Sequence, residues 1–438
     1  MRRWAQIAAT AVLLALPTVV GFARGGYFDG ARLKAGIAAC LLAAIAAAVA
    51  PLPRRRFALF ALAGLTAWTA LSITWAPLKG PATDDLERDV LYLATLTAAA
   101  TLLNTKWTEP ALLAGITITA AYGLSERLLP TVIELERSAA AMDRLAQPLT
   151  YWNGQGALAA VGLVLAAGLA TKHRAAAAVM PLLGLDLYLT LSRGAIGALV
   201  AGLLVLVALA PARETIAAAA IALLTSAIAA GLAETAFTGV THAQSTSGAG
   251  AGMLVTLILL GAAAAFVPLP RGELRIARPA AIAALVGCLA VTLVAIRGGN
   301  PTSSSGRLVS AQSNRYDYWG VALNTFADHP LKWLGSGSFR VEWLQHRDTD
   351  ESVRDAHSLY LETLAELGIV GFALLVAFYV GVIDAARRAK LPIAAAALAA
   401  WAVHAGVDWD WELPGLTLVA VLLAGRLIAA ADAPADTS

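Results

Sequence analysis

The polar chemistry of this chain rests on a few arginines, one well-placed histidine and a set of carboxylates mixed with aromatic residues. Arg193 follows the apolar run 182–192, and Ser192-Arg193-Gly194 breaks that run in two. A guanidinium offers a planar fork of donors that fits phosphate oxygens in pairs. An arginine at the edge of an apolar run can equally extend its head to a lipid–water boundary. Arg315 opens an aromatic-rich stretch with Asp317 and Trp319, and Arg144 lies nine residues before Asn153. Both are candidate phosphate ligands or plain solvated charges. His357 stands between Asp355 and Glu362. Near neutral pH an imidazole can take or give a proton, and a carboxylate can fix its tautomer. His329, before Pro330, reads as a helix-end residue. Asp408, Asp410 and Glu412 alternate with Trp409 and Trp411, a mixture found both on sugar-binding surfaces and at membrane interfaces. Asp186 sits inside an apolar run, where a charge either pairs with an arginine or lines a path.

These residues are set in a chain that is 59% hydrophobic and 14% charged over 438 residues. Soluble domains average about 45–50% and about 25%. Too few polar groups remain to cover a soluble surface, so the composition points to an all-α, polytopic membrane protein. A formal net charge of +3 gives no footprint for nucleic acid. Cys40 and Cys288 lie singly in apolar runs, with neither metal-ligand spacing nor a disulfide framework. Met1-Arg2-Arg3 before the run 4–22 resembles a signal sequence, but the run is long enough for a retained span.

Runs able to cross about 30 Å of hydrocarbon fall near 4–22, 33–52, 57–75, 89–104, 111–129, 153–170, 175–191, 194–210, 215–233, 250–269, 280–296, 368–383, 391–405 and 413–429. The expected bundle has about 12–14 transmembrane helices. Its parts are an N-terminal bundle (1–296), a large loop (297–367), and C-terminal helices with a short tail (368–438). Arg54-Arg55-Arg56 and Arg387-Arg388 with Lys390 mark the cytoplasmic connections by the positive-inside rule. Both termini then lie inside, and the large loop lies outside.

Within that loop the spacing predicts a helix from 314 to 328 with Arg315, Trp319, Ala322 and Phe326 on one face, ended by Pro330. The run Leu334-Gly335-Ser336-Gly337-Ser338 reads as a flexible turn. A second helix is expected from Asp355 into the next span, with His357, Leu361 and Leu364 on one stripe. Both suit amphipathic helices on the membrane surface. No HExxH, CxxC, Walker A or GxSxG motif is present, so the sequence gives no lead to metal, nucleotide or acyl-enzyme chemistry.

In order and spacing, Ser192-Arg193-Gly194-Ala195, Arg315-Tyr316-Asp317-Tyr318-Trp319, Asp328-His329-Pro330, Leu334-Gly335-Ser336-Gly337, Asp355 to Leu361 (DAHSLYL) and Glu366-Leu367-Gly368 resemble the O-antigen ligase and O-antigen polymerase family. Tyr151-Trp152-Asn153 and His404 to Glu412 (HAGVDWDWE) are similar to features of some branches. Where the family often has Asn after the loop histidine, this chain has Ser358. The resemblance implies a glycosyltransferase in the cytoplasmic (inner) membrane with its active site on the extracytoplasmic side. It implies a polyprenyl-diphosphate-linked glycan donor of the undecaprenyl type, a glycan or lipid acceptor, membrane lipids as surroundings, no nucleic acid, and neither cofactor nor metal. Mapped onto this chain, His357, Arg193 and Arg315 become the catalytic set. Arg144, Asn153, Trp319, Asp355, Tyr360 and Asp410 become substrate-binding residues. Ligase and polymerase share these motifs. The competing classes are a secondary transporter of a small solute or anion, for which Asp186 is the one strong mid-span charge, and a scaffold without catalysis.

Overall fold

The computed structural model describes residues 2–135, 139–242, 244–272, 315–328 and 334–432. The expected span 280–296 and the helix-end residue His329 lie outside the described residues. Every other expected apolar run falls on a helix. In chain order these are α1 (Arg2–Phe22), α2 (Asp29–Val49), α3 (Phe57–Ser72), α4 (Lys79–Leu102), α5 (Thr108–Leu128), α6 (Trp152–Ala170), α7 (Met180–Thr190), α8 (Arg193–Leu209), α9 (Arg213–Thr235), a single turn α10 (Thr238–Thr241) and α11 (Ser247–Phe266). After residue 272 the next described helices are α12 (Arg315–Asp328), α13 (Phe339–His346), α14 (Leu359–Ala389), α15 (Pro392–Ala405) and α16 (Pro414–Ala431). Among the described residues seven helices are long and apolar enough to cross a membrane: α1, α2, α6, α9, α11, α14 and α16. The apolar helices α3, α8 and α15 are shorter, at 10–17 residues.

Two helices sit at the centre. In α6 every residue from Gly154 to Ala170 is buried, and α16 is buried almost throughout. Such all-round apolar helices belong inside a bundle. The peripheral helices instead turn large apolar side chains outward, including Val12 on α1, Leu41 on α2, Phe60 on α3, Leu259 on α11 and Val380 on α14. An outer surface of that kind suits hydrocarbon, not water. Close packing uses missing side chains. A methyl on Gly425 of α16 would stand 2.3 Å from Ala99 of α4.

The connections between α1 and α2, α3 and α4, α5 and α6, α7 and α8, and α15 and α16 gather at one end of the bundle, where residues 315–328 and 334–358 cover them. Tyr27 of the first packs its ring against Trp409 of the last, and Ser336 donates its N–H to Ser72. Tyr318, Ala322, Phe339, Trp343, Val353, Ala356 and Ala365 form a small core for this cover. The buried stripe of α12 is Tyr318, Ala322 and Thr325, and Phe326 is only partly buried, so the helix is rotated from its expected face.

Two loop expectations change. The run 334–338 is not a loose turn. Gly335 and Gly337 take positive φ (+89° and +68°), and a Cβ on either would stand 2.7 Å from Ala76 or 2.6 Å from Pro81. The Glu366 carboxylate accepts from the N–H groups of Gly337 (2.8 Å) and Phe339 (2.7 Å), which pins the turn to α14. The second loop helix starts later than Asp355. Ser358 is its N-cap, accepting from the Leu361 N–H, and Glu362 reaches back to the Ala356 N–H at 2.7 Å. His357 therefore precedes the helix, in the left-handed region at φ +54°. Asn is as good an N-cap as Ser, which gives a local reason for Ser358 to stand where the family often has Asn.

Candidate active site

The centre is assembled from five separated pieces of chain, around 151–153, 193, 315–319, 357 and 408. Ser192 caps α8 by accepting from the Ala195 N–H, and Leu191 at φ +54° turns the chain out of α7. That break sets Arg193 at the first helical position, half-buried, where its guanidinium repels that of Arg315. The two arginines thus share a neighbourhood although 122 residues separate 193 from 315. Like charges held together in a partly dry site favour an anion between them.

Arg315, at the start of α12, donates from a terminal nitrogen to Asp408 at 2.6 Å. Asp408 is fully buried. It also accepts from the Tyr151 hydroxyl (2.6 Å) and the Trp409 N–H (3.0 Å). Burial alone would raise the Asp408 carboxyl, but Arg315, His357 and His404 together hold it below the ordinary carboxylate range. Burial likewise opposes the Arg315 charge, and Asp408 outweighs it, leaving Arg315 more firmly protonated than a free arginine.

His357 completes the set. Its Nδ1 lies 3.0 Å from the Asp355 carbonyl oxygen, which can only accept, so Nδ1 carries the proton and Nε2 is the basic nitrogen. Burial lowers the imidazole below its usual 6.5, and Arg315 adds to that, while Asp408 and Asp355 pull the other way. Its ring lies 5.3 Å from that of Tyr318 and 6.4 Å from that of Trp409. The arrangement combines concentrated positive charge with a neutral imidazole able to accept a proton at Nε2.

Residues 245–376 match the family model described as Wzy_C, O-antigen ligase. This segment belongs to the O-antigen ligase family. The match supports a role in membrane glycan transfer, which in this family implies a lipid-linked glycan donor with a glycan or lipid acceptor, and the seven long apolar helices fit a multi-pass membrane protein. No curated protein matches the chain. The O-antigen ligase segment holds Arg315, Trp319, Asp355, His357 and Tyr360, while Arg193, Arg144, Asn153 and Asp410 come from elsewhere in the chain.

The remaining expected residues fall into three groups. Trp319 and Asn153 are at the centre: Trp319 donates its ring N–H to the His357 carbonyl (3.4 Å), and Asn153 donates to the Tyr151 hydroxyl (2.8 Å). Arg144 stands one layer out. Its guanidinium lies over the Trp152 ring at 3.6 Å and donates to the carbonyls of Ala140 and Ala141. Asp355, Tyr360 and Asp410 serve other contacts. Asp355 meets His357 through its main-chain carbonyl, and burial raises its carboxyl against the opposing pull of Arg340, Arg88 and His357. The Tyr360 hydroxyl donates to the Ala402 carbonyl at 2.6 Å, joining α14 to α15. Both Asp410 oxygens face His404 Nδ1, at 2.8 and 2.9 Å, inside the bundle.

Asp408 and Tyr27 were absent from the expected site set. The signal for Asp408 was the acidic–aromatic run 408–412, whose two tryptophans part company: Trp411 is buried and donates to Asp89, whereas Trp409 stays partly exposed at the centre. Tyr27 carried no signal. Its ring meets Trp409 at 5.4 Å, and its hydroxyl accepts from Arg354 at 3.2 Å. Asp186 has a structural account, since Gln155 donates to both its oxygens at 3.0 Å in a fully buried site.

Proposed function

We propose that the chain moves a glycan from a polyprenyl-diphosphate-linked donor to an acceptor hydroxyl on the extracytoplasmic side of the cytoplasmic membrane. The observation that carries this reading is the meeting of Arg193, Arg315 and His357 at one end of the bundle, with the arginines close enough to repel each other. In the reaction the acceptor oxygen attacks the anomeric carbon as the bond from that carbon to the phosphate oxygen breaks. The electron pair leaves on the diphosphate, whose growing charge Arg193 and Arg315 neutralise without a metal ion. The acceptor's proton passes to Nε2 of His357, the nitrogen left basic by the Asp355 carbonyl. Trp319 and Asn153 shape the substrate side, and Arg144 with Trp152 extends it.

The test is transfer in vitro from a defined lipid-diphosphate-linked oligosaccharide, with protein purified in detergent or nanodiscs. Wild-type protein releases lipid diphosphate and moves the glycan to a second glycan or to a lipid acceptor. Arg193→Ala and His357→Ala accumulate normally and lose transfer. Wild-type rates in either variant would remove that residue from the chemistry.

A further inference from the structure

We propose that Asp408 is the positioning residue of this centre: its carboxylate aims the Arg315 guanidinium and holds a negative charge opposite the His357 imidazole. The proposal rests on the transfer reading above and adds a residue that the family match, which ends at 376, does not cover. Three donors converge on Asp408: the Arg315 guanidinium, the Tyr151 hydroxyl and the Trp409 N–H, at 2.6, 2.6 and 3.0 Å. Each comes from a different place in the local architecture, namely α12 of the cover, the approach to α6, and the α15–α16 connection itself. A carboxylate with three donors and no solvent exposure stays ionised and stays in place. The Arg315 guanidinium is held through a terminal nitrogen by this fixed anion and has the Tyr151 hydroxyl as a second partner, so its position is set from two sides.

The second consequence concerns His357. The charged groups facing it are Asp408 from the α15–α16 connection, Arg315 from α12, and Asp355 from its own segment. Asp408 and Arg315 act on the imidazole with opposite sign. Removing the Asp408 charge makes the imidazolium harder to form, so the basic form persists to lower pH. Removing the Arg315 charge does the reverse. A residue that served only to pack the connection would shift neither.

The test compares Asp408→Asn and Arg315→Gln with wild type by two readouts. One is the pH profile of kcat/KM for glycan transfer. The other needs no substrate: the pH dependence of diethyl pyrocarbonate modification at His357, followed by mass spectrometry of its peptide. Asp408→Asn should lower transfer about ten- to a hundredfold, as loss of an orienting partner does elsewhere. It should also move the acid limb and the modification midpoint down by about one pH unit. Arg315→Gln should move the midpoint up. An unmoved or raised midpoint in Asp408→Asn overturns the proposal. If Asp408→Asn does not accumulate, Asp408→Glu keeps the charge and displaces it by one methylene. It should lose transfer with the His357 midpoint in place, and wild-type transfer in that variant overturns the proposal. Wild-type protein that modifies as expected but moves no glycan refutes the transfer reading and leaves the charge assignment of Asp408 standing.

Discussion

Two sets of ion pairs, one in the covered centre and one at the far surface of the helical bundle, use charge in opposite ways. Within the covered centre the pairs are dry: Arg315 and Asp408 are 14% and 1% exposed, and His404 and Asp410 are both at 0%. At the far surface, Arg388 and Asp384 pair across one helical turn at 51% and 50% exposure, and Arg55 reaches Asp384 and Asp432 from a similarly wet position. Wet pairs are screened, replaceable and of small energetic consequence. Dry charges are costly to place and survive only when each has its partners. The pairs of the covered centre bear that cost, and so does Arg426 with Glu109, at 9% and 7% exposure toward the opposite end. The far surface carries the Arg54–Arg56 and Arg387–Arg388 clusters, the basic residues from which the positive-inside rule takes its expected orientation.

The contrast predicts a wide spread of mutational effects. The largest should come from the reacting centre. His357→Ala is expected to cut glycan transfer by about 10²–10⁴-fold, and Arg193→Ala by a comparable factor for lost charge stabilisation, both read in the purified assay. Arg388→Ala, at the far surface, should change transfer by less than about twofold; a large loss there would erase the distinction between the two sets. Next comes Asp410→Asn, which replaces the charge opposite the buried His404 with a neutral amide. The expected cost is about 1–3 kcal/mol of stability, seen as a lower midpoint of thermal unfolding in detergent. Gly335→Ala should act on the cover: a Cβ there meets Ala76 at 2.7 Å and the backbone is left-handed. The strain is about 1–3 kcal/mol, and limited proteolysis of 334–358 should quicken while α6 and α16 remain protected. The smallest effect is in pH. Because burial lowers His357 below 6.5, the imidazole stays unprotonated to more acid pH than a free histidine. Transfer should therefore hold its plateau through pH 6.5 and fall only below it, and an acid limb above 6.5 would break the assignment of His357 as base.

How much of this was readable beforehand depended on the range of the interaction concerned. The apolar runs were legible because a span must satisfy its own backbone hydrogen bonds, which leaves the helix as the answer for about 20 apolar residues. The Ser192-Arg193 break was legible for a similar local reason, as an N-cap residue interrupting an apolar run. His357 was read one turn too early onto α14, because its flanking carboxylates look helical until Ser358 and Glu362 are seen capping that helix. The run 334–338 looked loose because glycine is ambiguous in sequence: it marks flexibility and close approach alike. Only its distance to Ala76 and Pro81 separates the two.

By itself, the sequence determined that this chain is a membrane bundle, that its unusual polar residues gather in a few short stretches, and which arginines and histidine are chemically apt. Tertiary structure decided which of them meet. Arg315 and Asp408 lie 93 positions apart, and Asp410, an equally plausible partner by composition, is turned instead toward His404. Residue type fixes what a side chain can donate or accept, but an ion pair forms by distance in space. Two carboxylates separated by a single tryptophan take different partners because the connection between α15 and α16 turns one toward Arg315 of the cover and the other toward His404 inside the bundle.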